Sequence, residues 1–404
     1  MNEQVQVAIR VRPDSNGDAD SRVCSGASSL ALSGPRVSSG AHSFEFSSVH
    51  PPTAPTSSLF PGVGDPLVTA ILEGRHATLL AYGQTGSGKT HTLFGTATEE
   101  GLVPLVAREL YGRLGLHSSS DASVRVSFTQ IYREQVTDLL VPSSGVLKLR
   151  EDPVEGPFPV GLSSASAASY PAFAALLAQA LRNRAVGSTA ANSVSSRAHT
   201  LVQLSVAHSG VRAKLTLTDL AGSERVAATG ASGDVLKDGA SINKSLSALG
   251  NCVRALAAAS LAPKKSNSSS DSSGSDCSGA HVPFRDSALT WLLKPSLSGS
   301  SRLVLVATVS SRAEDLAESV STLRFADRMQ GISTAAVVNH DRVPLHERLH
   351  HNPRGQRQQH NPGKPSASPR GGGGGGGGGA GKENARPSAG PPRMEWVRGK
   401  GLVR

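Results

Sequence analysis

Residues 76–94 run HATLLAYGQTGSGKTHTLF. The first seven, His76 to Tyr82, are a short apolar run with no interior charge, the pattern of a strand buried on both faces. Gly83-Gln84-Thr85-Gly86-Ser87-Gly88-Lys89-Thr90 then keeps the spacing GxxxxGK[ST]. Its glycines let backbone N–H groups turn inward around a β-phosphate. Thr90 to Phe94 open a helix whose positive end faces the anion. Lys89 reaches the β- and γ-phosphates, and Thr90 offers a hydroxyl to Mg²⁺. Strand, glycine loop and helix in this order predict an α/β fold that binds a nucleoside triphosphate. They leave a triphosphatase and a nucleotide kinase both open.

A second element lies downstream, Leu215-Thr216-Leu217-Thr218-Asp219-Leu220-Ala221-Gly222. An apolar strand ending in Asp219 supplies the carboxylate that holds Mg²⁺ through water. Gly222 can place a backbone N–H on the γ-phosphate, so loss of that phosphate releases the loop, as in a switch. A third element is Asn192-Ser193-Val194-Ser195-Ser196-Arg197-Ala198-His199. Its hydroxyls, Arg and Asn suit a phosphate-sensing loop, but a plain serine-rich turn has the same composition.

Around these elements the hydrophobic pattern alternates between strand and helix periods. Gln4–Arg12 alternates as a strand and stops at Pro13. A short strand is expected around Phe44–Phe46, helices over Asp65–Glu73 and Tyr170–Asn183, and a strand pair over His199–Ala207 and Val211–Thr218 turning at Ser209-Gly210. Ser241–Ala259 is the strongest amphipathic helix, with Ile242, Leu246, Leu249, Val253 and Leu256 at spacings of three and four. A short helix over Asp286–Leu293, a buried strand over Leu303–Val309, a helix over Ala313–Asp327 and an extended end over Gly331–Asn339 complete the pattern. The sum is one α/β domain with a central mixed, mostly parallel sheet flanked by helices on both faces.

Composition narrows the remaining classes. The chain has 404 residues, and its net charge of +10 is a property of its end. From Asp341 onward there are 12 Lys+Arg and 4 Asp+Glu, a net of +8. That leaves 29 and 27 for residues 1–340, a net of +2. With its prolines and the glycine run Gly371–Gly379, the segment 341–404 is expected to be a disordered basic tail. No zinc-finger spacing or leucine heptad points to a specific nucleic-acid partner, and no apolar run is long enough for a membrane span. Cys24, Cys252 and Cys277 form no CxxC pair and no disulfide framework, which suits a reducing cytosol.

Taken together, six segments in order resemble a kinesin motor domain: AYGQTGSGKTHT (81–92), NSVSSRAH (192–199), LTDLAGSER (217–225), SINKSLSALGNCVRAL (241–256), VPFRDSALTWLL (282–293) and STLRFADR (321–328). The likeness runs from about Val5 to Asn339. It implies the kinesin type of P-loop NTPase fold, ATP and Mg²⁺ as ligands, and hydrolysis stimulated by microtubules. Arg10, Arg12 and Pro13 match the segment beside the adenine, and His91 falls near the same pocket. Ser195 matches the hydroxyl at the γ-phosphate and attacking water, and Ser196 the one supporting Mg²⁺ with Thr90 and Asp219. Arg197 and Glu224 match a pair that closes as a salt bridge, with Glu224 passing a proton through a short water relay. Lys89 and Gly222 complete the expected catalytic set.

The same resemblance implies a track and a lever. Microtubules are acidic, so Arg225, Lys244, Lys264, Lys265 and Arg285 are the expected contacts. Ala240, Ala288 and Trp291 stand where the family usually has basic residues, Gly239 interrupts the approach to the main track helix, and Ala198 replaces a serine. Gly331–Asn339 resembles the neck linker of a plus-end-directed motor, with Ile332 as the plug and Asn339 as the latch. No heptads follow Asn339, so no dimerising coiled coil is expected in this chain, and the cargo stays unknown. Expected localisation is the cytoplasm, on the cytoskeleton. The alternatives are a nucleotide-gated microtubule-binding or end-regulating protein without processive motility, and a P-loop enzyme acting on a small substrate.

Overall fold

The computed structural model describes residues 3–13, 30–115, 122–153, 155–186, 197–224, 234–261 and 281–339. Ser195, Ser196, Arg225, Lys264, Lys265 and the tail 341–404 lie outside the described residues. Among the described residues, one sheet orders its strands Val146–Leu147, Gln135–Asp138, Ser123–Tyr132, His199–His208, Val211–Asp219, His76–Tyr82, Ser301–Ser310, Gln6–Arg12 and Ser48–His50. Ala165–Ser166 pairs with Ser123–Tyr132 beside this path. The expected mixed sheet is present. Its parallel pairings join Val211–Asp219, His76–Tyr82, Ser301–Ser310, Gln6–Arg12 and Ser48–His50. The strands on the other side of Val211–Asp219 are antiparallel.

The helices are α1 (Phe60–Leu72), α2 (Lys89–Phe94), α3 (Leu102–Leu114), α4 (Tyr170–Val186), α5 (Asp234–Leu261), α6 (Ala288–Leu292), α7 (Lys294–Leu297) and α8 (Leu316–Gln330). They cover both faces, and the strand period shows how. Leu79 and Ala81 join Val304 and Val306 in a core with Val63, Leu67, Val106, Leu110 and Phe173, from α1, α3 and α4. Leu80, Leu303 and Leu305 point to the opposite face, into a core with Leu249 and Val253 of α5, Leu289 of α6 and Leu323 and Met329 of α8. A strand whose successive side chains enter two different cores is mostly apolar, and its buried Thr78 hydroxyl is satisfied by Ser296 Oγ at 2.7 Å. This is why His76–Tyr82 has no polar alternation.

Several boundaries move for identifiable reasons. The expected helix Ser241–Ala259 extends to Asp234–Leu261 and runs through Gly239. A glycine costs about 1 kcal/mol relative to alanine, too little to stop so long a helix. The expected helix over Asp286–Leu293 is instead a 3₁₀ turn, Phe284–Asp286, followed by α6. Ser287 makes the break: its side chain accepts from the Thr290 backbone N–H at 3.1 Å, capping the new helix. Ser209 and Gly210 take φ of 48° and 74°, the left-handed pair that a two-residue hairpin needs.

The two ends of the described chain meet. Glu3 and Gln4 pair antiparallel with Thr334 and Ser333, and the Val5 N–H donates to the Ile332 carbonyl at 3.1 Å. Ile332 is buried in the second core. Beyond it, the Ala335 N–H donates to Gly299 O at 2.7 Å and the Asn339 N–H to Gly74 O at 2.9 Å. The Asn339 side-chain amide donates to the same Gly74 oxygen at 3.1 Å.

Candidate phosphate site and track face

Three parallel strand ends build the site: Tyr82, Asp219 and Ser310 lie at the carboxyl ends of neighbouring strands. Such ends form the usual ligand crevice of an open α/β sheet. The loop after Tyr82 is fixed from below. Ser87 Oγ donates to Gln84 O at 2.8 Å and lies 2.6 Å from Thr308 Oγ1 on the adjacent strand. Gly83 has to be glycine, because a Cβ there would overlap the Thr308 carbonyl. Gly86 and Gly88, at φ 78° and 104°, turn the backbone into the left-handed region that the cradle requires. Thr85, Gly86 and Thr90 stay open to solvent.

Inside the loop, Lys89 is only 7% exposed and donates to the carbonyls of Gly83 and Gln84, both at 2.8 Å. Burial holds its ammonium below the usual lysine range, although Asp219 and Glu224 pull the other way. Thr90 Oγ1 donates to Asp219 Oδ2 at 2.7 Å. The same oxygen takes the Arg184 guanidinium at 2.9 Å, in a pair with side chains 5% and 1% exposed. Asp219 Oδ1 is buried and has no hydrogen-bond partner. A hydroxyl beside a carboxylate with a spare oxygen suits a hydrated Mg²⁺, so the residues fit that ion.

The expected switch residues Gly222 and Glu224 lie against the loop. Glu224 accepts from the Thr85 backbone N–H at 2.7 Å through Oε2, and from the Thr85 hydroxyl through Oε1. The Ser223 N–H donates to Gly83 O at 3.1 Å. Gly222 lies beneath this contact, and any side chain there would collide with Thr85 Oγ1 and the Glu224 carboxylate. His199 is buried between the Ala221 backbone and Ser245 of α5. Its Nδ1 accepts from the Ala221 N–H at 3.0 Å, and Nε2 lies 2.8 Å from Ser245 Oγ. Burial, followed by the Lys89 charge, lowers its pKa to about 3, so the ring is neutral.

On the expected adenine side, Arg10 is buried and donates to Thr56 Oγ1 at 2.8 Å and Thr92 Oγ1 at 3.0 Å. Its guanidinium also lies 3.6 Å from Glu99. Hydrogen bonds from Thr56 hold the Glu99 carboxyl below the usual range. His91 Nε2 is 3.4 Å from Glu99, and Arg12 crosses the loop to donate to the Gly86 carbonyl. Pro13 is exposed directly after the Gln6–Arg12 strand. Sequence reasoning missed Arg184, which lies one residue beyond the expected helix Tyr170–Asn183 and inside the observed α4, and it missed the Thr85–Glu224 contact.

Of the expected track residues, Lys244 is exposed on α5, and the Arg285 side chain is 76% exposed. Arg285 is ion-paired to Glu151 at 2.7 Å, and its guanidinium centre lies 5.6 Å over the Trp291 ring. Trp291, where the resemblance implied a basic residue, therefore supports the neighbouring cation through its π face.

The kinesin motor domain profile matches residues 10–332. The chain belongs to the kinesin motor domain family. Human kinesin-like protein KIF13B is 42% identical over 297 residues, which are 70% of this chain and 16% of that relative. The present chain thus spans about a sixth of the length of KIF13B. A KIF14 dimer, solved with AMP-PNP in complex with a microtubule, superposes with a TM-score of 0.71 at 32% identity and covers 86% of this chain and 100% of that one. A fast kinesin superposes with the same TM-score at 33% identity, covering 85% and 95%. No helix among the described residues is long and apolar enough to cross a membrane.

Proposed function

We propose that residues 1–340 are a motor domain that hydrolyses ATP and couples the cycle to microtubule binding and to plus-end-directed movement, with 341–404 as a basic tail. One observation carries the reading: Asp219 and Glu224, five residues apart beyond one strand, reach opposite sides of the same glycine loop, at Thr90 and Thr85. A γ-phosphate entering that loop has to displace the Glu224–Thr85 contact, so occupancy is sensed by the switch itself.

Lys89 then leaves the Gly83 and Gln84 carbonyls for phosphate oxygens. Gly222 presents its N–H, and Ser195 orients the attacking water. Glu224, released from Thr85, meets Arg197 and accepts the proton through water. Thr90, Ser196 and Asp219 would hold Mg²⁺, which when bound neutralises charge on the β- and γ-phosphates. Arg12, Pro13 and His91 line the base side, and Arg10 braces it through Thr56 and Thr92. Rate gain comes from positioning and charge stabilisation.

Lys244 and Arg285, with Arg225, Lys264 and Lys265, face tubulin in this reading, and the Gly331–Asn339 segment is the lever. The working place is the cytoplasmic cytoskeleton. A second reading, nucleotide-gated microtubule binding or end regulation without processive stepping, draws support from the pairing of Arg285 and Lys294 with Glu151, which thins the free charge on that face. ATP turnover titrated with microtubules tests the proposal: a saturating rise supports it, and a flat response rejects it. Surface gliding separates the two readings.

A further inference from the structure

The turn between α2 and α3 is pinned to the end of α2. The Thr96 N–H donates to Glu99 O at 2.8 Å, and the Glu99 N–H donates to Thr96 Oγ1 at 3.2 Å. Glycine is required on both sides of it. A Cβ on Gly95, at φ 79°, would overlap the Glu99 carbonyl, and one on Gly101 would overlap the Leu93 carbonyl. Glu99 is therefore pre-positioned beside the helix that follows the glycine loop.

Its two carboxylate oxygens have different surroundings. Oε1 accepts from the Thr56 N–H at 2.5 Å and lies 3.6 Å from the Arg10 guanidinium, which is itself committed to Thr56 Oγ1 and Thr92 Oγ1. Oε2 faces His91 Nε2 at 3.4 Å, longer than a normal hydrogen bond. Both side chains are partly open to solvent, so a ligand can reach Oε2.

The order of the strands sets which end of a nucleotide lies here. Val211–Asp219 flanks His76–Tyr82 on one side, and Gln6–Arg12 lies two strands away on the other. Asp219 meets the glycine-loop helix at Thr90, on the γ-phosphate side. The nucleoside leaves the loop toward the opposite flank, where Arg12, His91 and Glu99 stand. Thr56 holds the Glu99 carboxyl below the usual range, so it is ionised at neutral pH and only accepts hydrogen bonds. Adenine offers its exocyclic amino group as a donor. Guanine and hypoxanthine carry an acceptor oxygen at the same place.

We propose that Glu99 selects the base: Oε2 accepts from the exocyclic amino group of adenine and opposes a purine with a carbonyl oxygen there. The inference rests on the proposed function, because it takes the ligand to be a nucleotide with its base on the Arg12 side.

Displacement of a ribose-labelled fluorescent ADP from the full chain, with Mg²⁺ present, tests it by binding alone. The competitors are ADP, inosine diphosphate and purine riboside diphosphate. Inosine replaces the amino group by oxygen, and purine riboside carries hydrogen there. Both are expected to bind about 10-fold more weakly than ADP, as for the loss of one hydrogen bond to a charged group. Glu99→Gln gives a readout that a purely structural role would not move. Its side-chain oxygen keeps the Thr56 N–H, its NH₂ takes the place of Oε2, and the preference for ADP over inosine diphosphate should vanish or invert. Equal affinities in the native chain overturn the proposal, as does a preference that survives unchanged in Glu99→Gln. Should that variant not fold, the purine riboside comparison in the native chain decides, and equality with ADP overturns the proposal. A chain that binds no labelled ADP rejects the proposed function, whereas one that binds all three competitors equally rejects only the selection of the base.

Discussion

Glu151 accepts the Arg285 guanidinium through one carboxylate oxygen at 2.7 Å, while its other oxygen holds the Lys294 ammonium at 2.5 Å. Lys294 first and Arg285 second keep the Glu151 carboxyl below the usual carboxylate range. One acid therefore competes with any acidic partner for both cations. Glu151→Gln is expected to tighten microtubule binding by roughly 1.5- to 5-fold at low salt, the equivalent of a partly exposed ion pair. Its salt dependence should steepen as well. Cosedimentation across a salt series checks both.

Lys89→Met separates binding from stability. The lysine is desolvated and spends its donors on two backbone carbonyls. An apolar chain of similar length should leave the unfolding midpoint unchanged or slightly raised. ATP turnover should fall by at least about 100-fold, a loss of about 2.7 kcal/mol in transition-state stabilisation. Steady-state turnover and urea unfolding on the same preparation measure the two effects.

Asp219→Asn should behave in the opposite way. It removes the carboxylate charge from the buried Arg184 guanidinium as well as from beside Thr90. Breaking a buried ion pair by removing one charge costs about 3–5 kcal/mol. Thr90→Ala removes only one hydrogen bond and should cost about 1 kcal/mol. Urea unfolding of the two variants in parallel gives the difference.

Acid stability has a defined window. Burial lowers His199 to about 3 and His76 to about 4, below the ordinary histidine value of 6.5. Between those limits the unfolded chain binds more protons than the folded one. Stability is fully present above pH 6.5 and is lost as pH falls toward the folded values. Each histidine contributes a slope of up to about 1.4 kcal/mol per pH unit inside the window. Replacing His76 with Gln should flatten the loss between pH 6 and pH 4, as read from unfolding midpoints at fixed ionic strength.

The proposed latch at Asn339 can be tested alone. Its side-chain amide donates to Gly74 O and to Val337 O. Gly74 has φ 75°, and a Cβ there would lie 2.7 Å from the Val211 Cβ, so the acceptor is held in place. Asn339→Ala should weaken docking of the segment by about 1 kcal/mol, a shift of about 5-fold in the docked population. A fluorescence distance between a label after Asn339 and one on α1 reports it.

Much of this was legible in the chain because it depends on local pattern. The His76–Tyr82 strand and the glycine loop are each written in contiguous residues, and the structure keeps the expected strand bounds. What escaped was long-range or weakly signalled. Arg184 matters only because α4 brings it to Asp219, 35 residues away in sequence. Helix α3 follows Gly101, which offers no side-chain cap, so its start gave little local signal, although Gly115 ends it in the left-handed region at φ 57°. Glu99 belongs to no periodic pattern, and its importance comes from a turn that points one oxygen at Thr56 and the other at His91.

The pairing of Glu3 and Gln4 with Thr334 and Ser333 has a mechanical consequence. Tension applied beyond Asn339 meets the contacts of Asn339 first, its two bonds to Gly74 O and the Arg212 N–H on its carbonyl, then the bridge from Val338 to Arg75, then the Ala335–Gly299 bond, and only afterwards the two rungs at Thr334 and Ser333. The segment therefore comes away in stages instead of all at once. A steady backward pull should lengthen the time spent undocked at forces far below those that unfold the sheet.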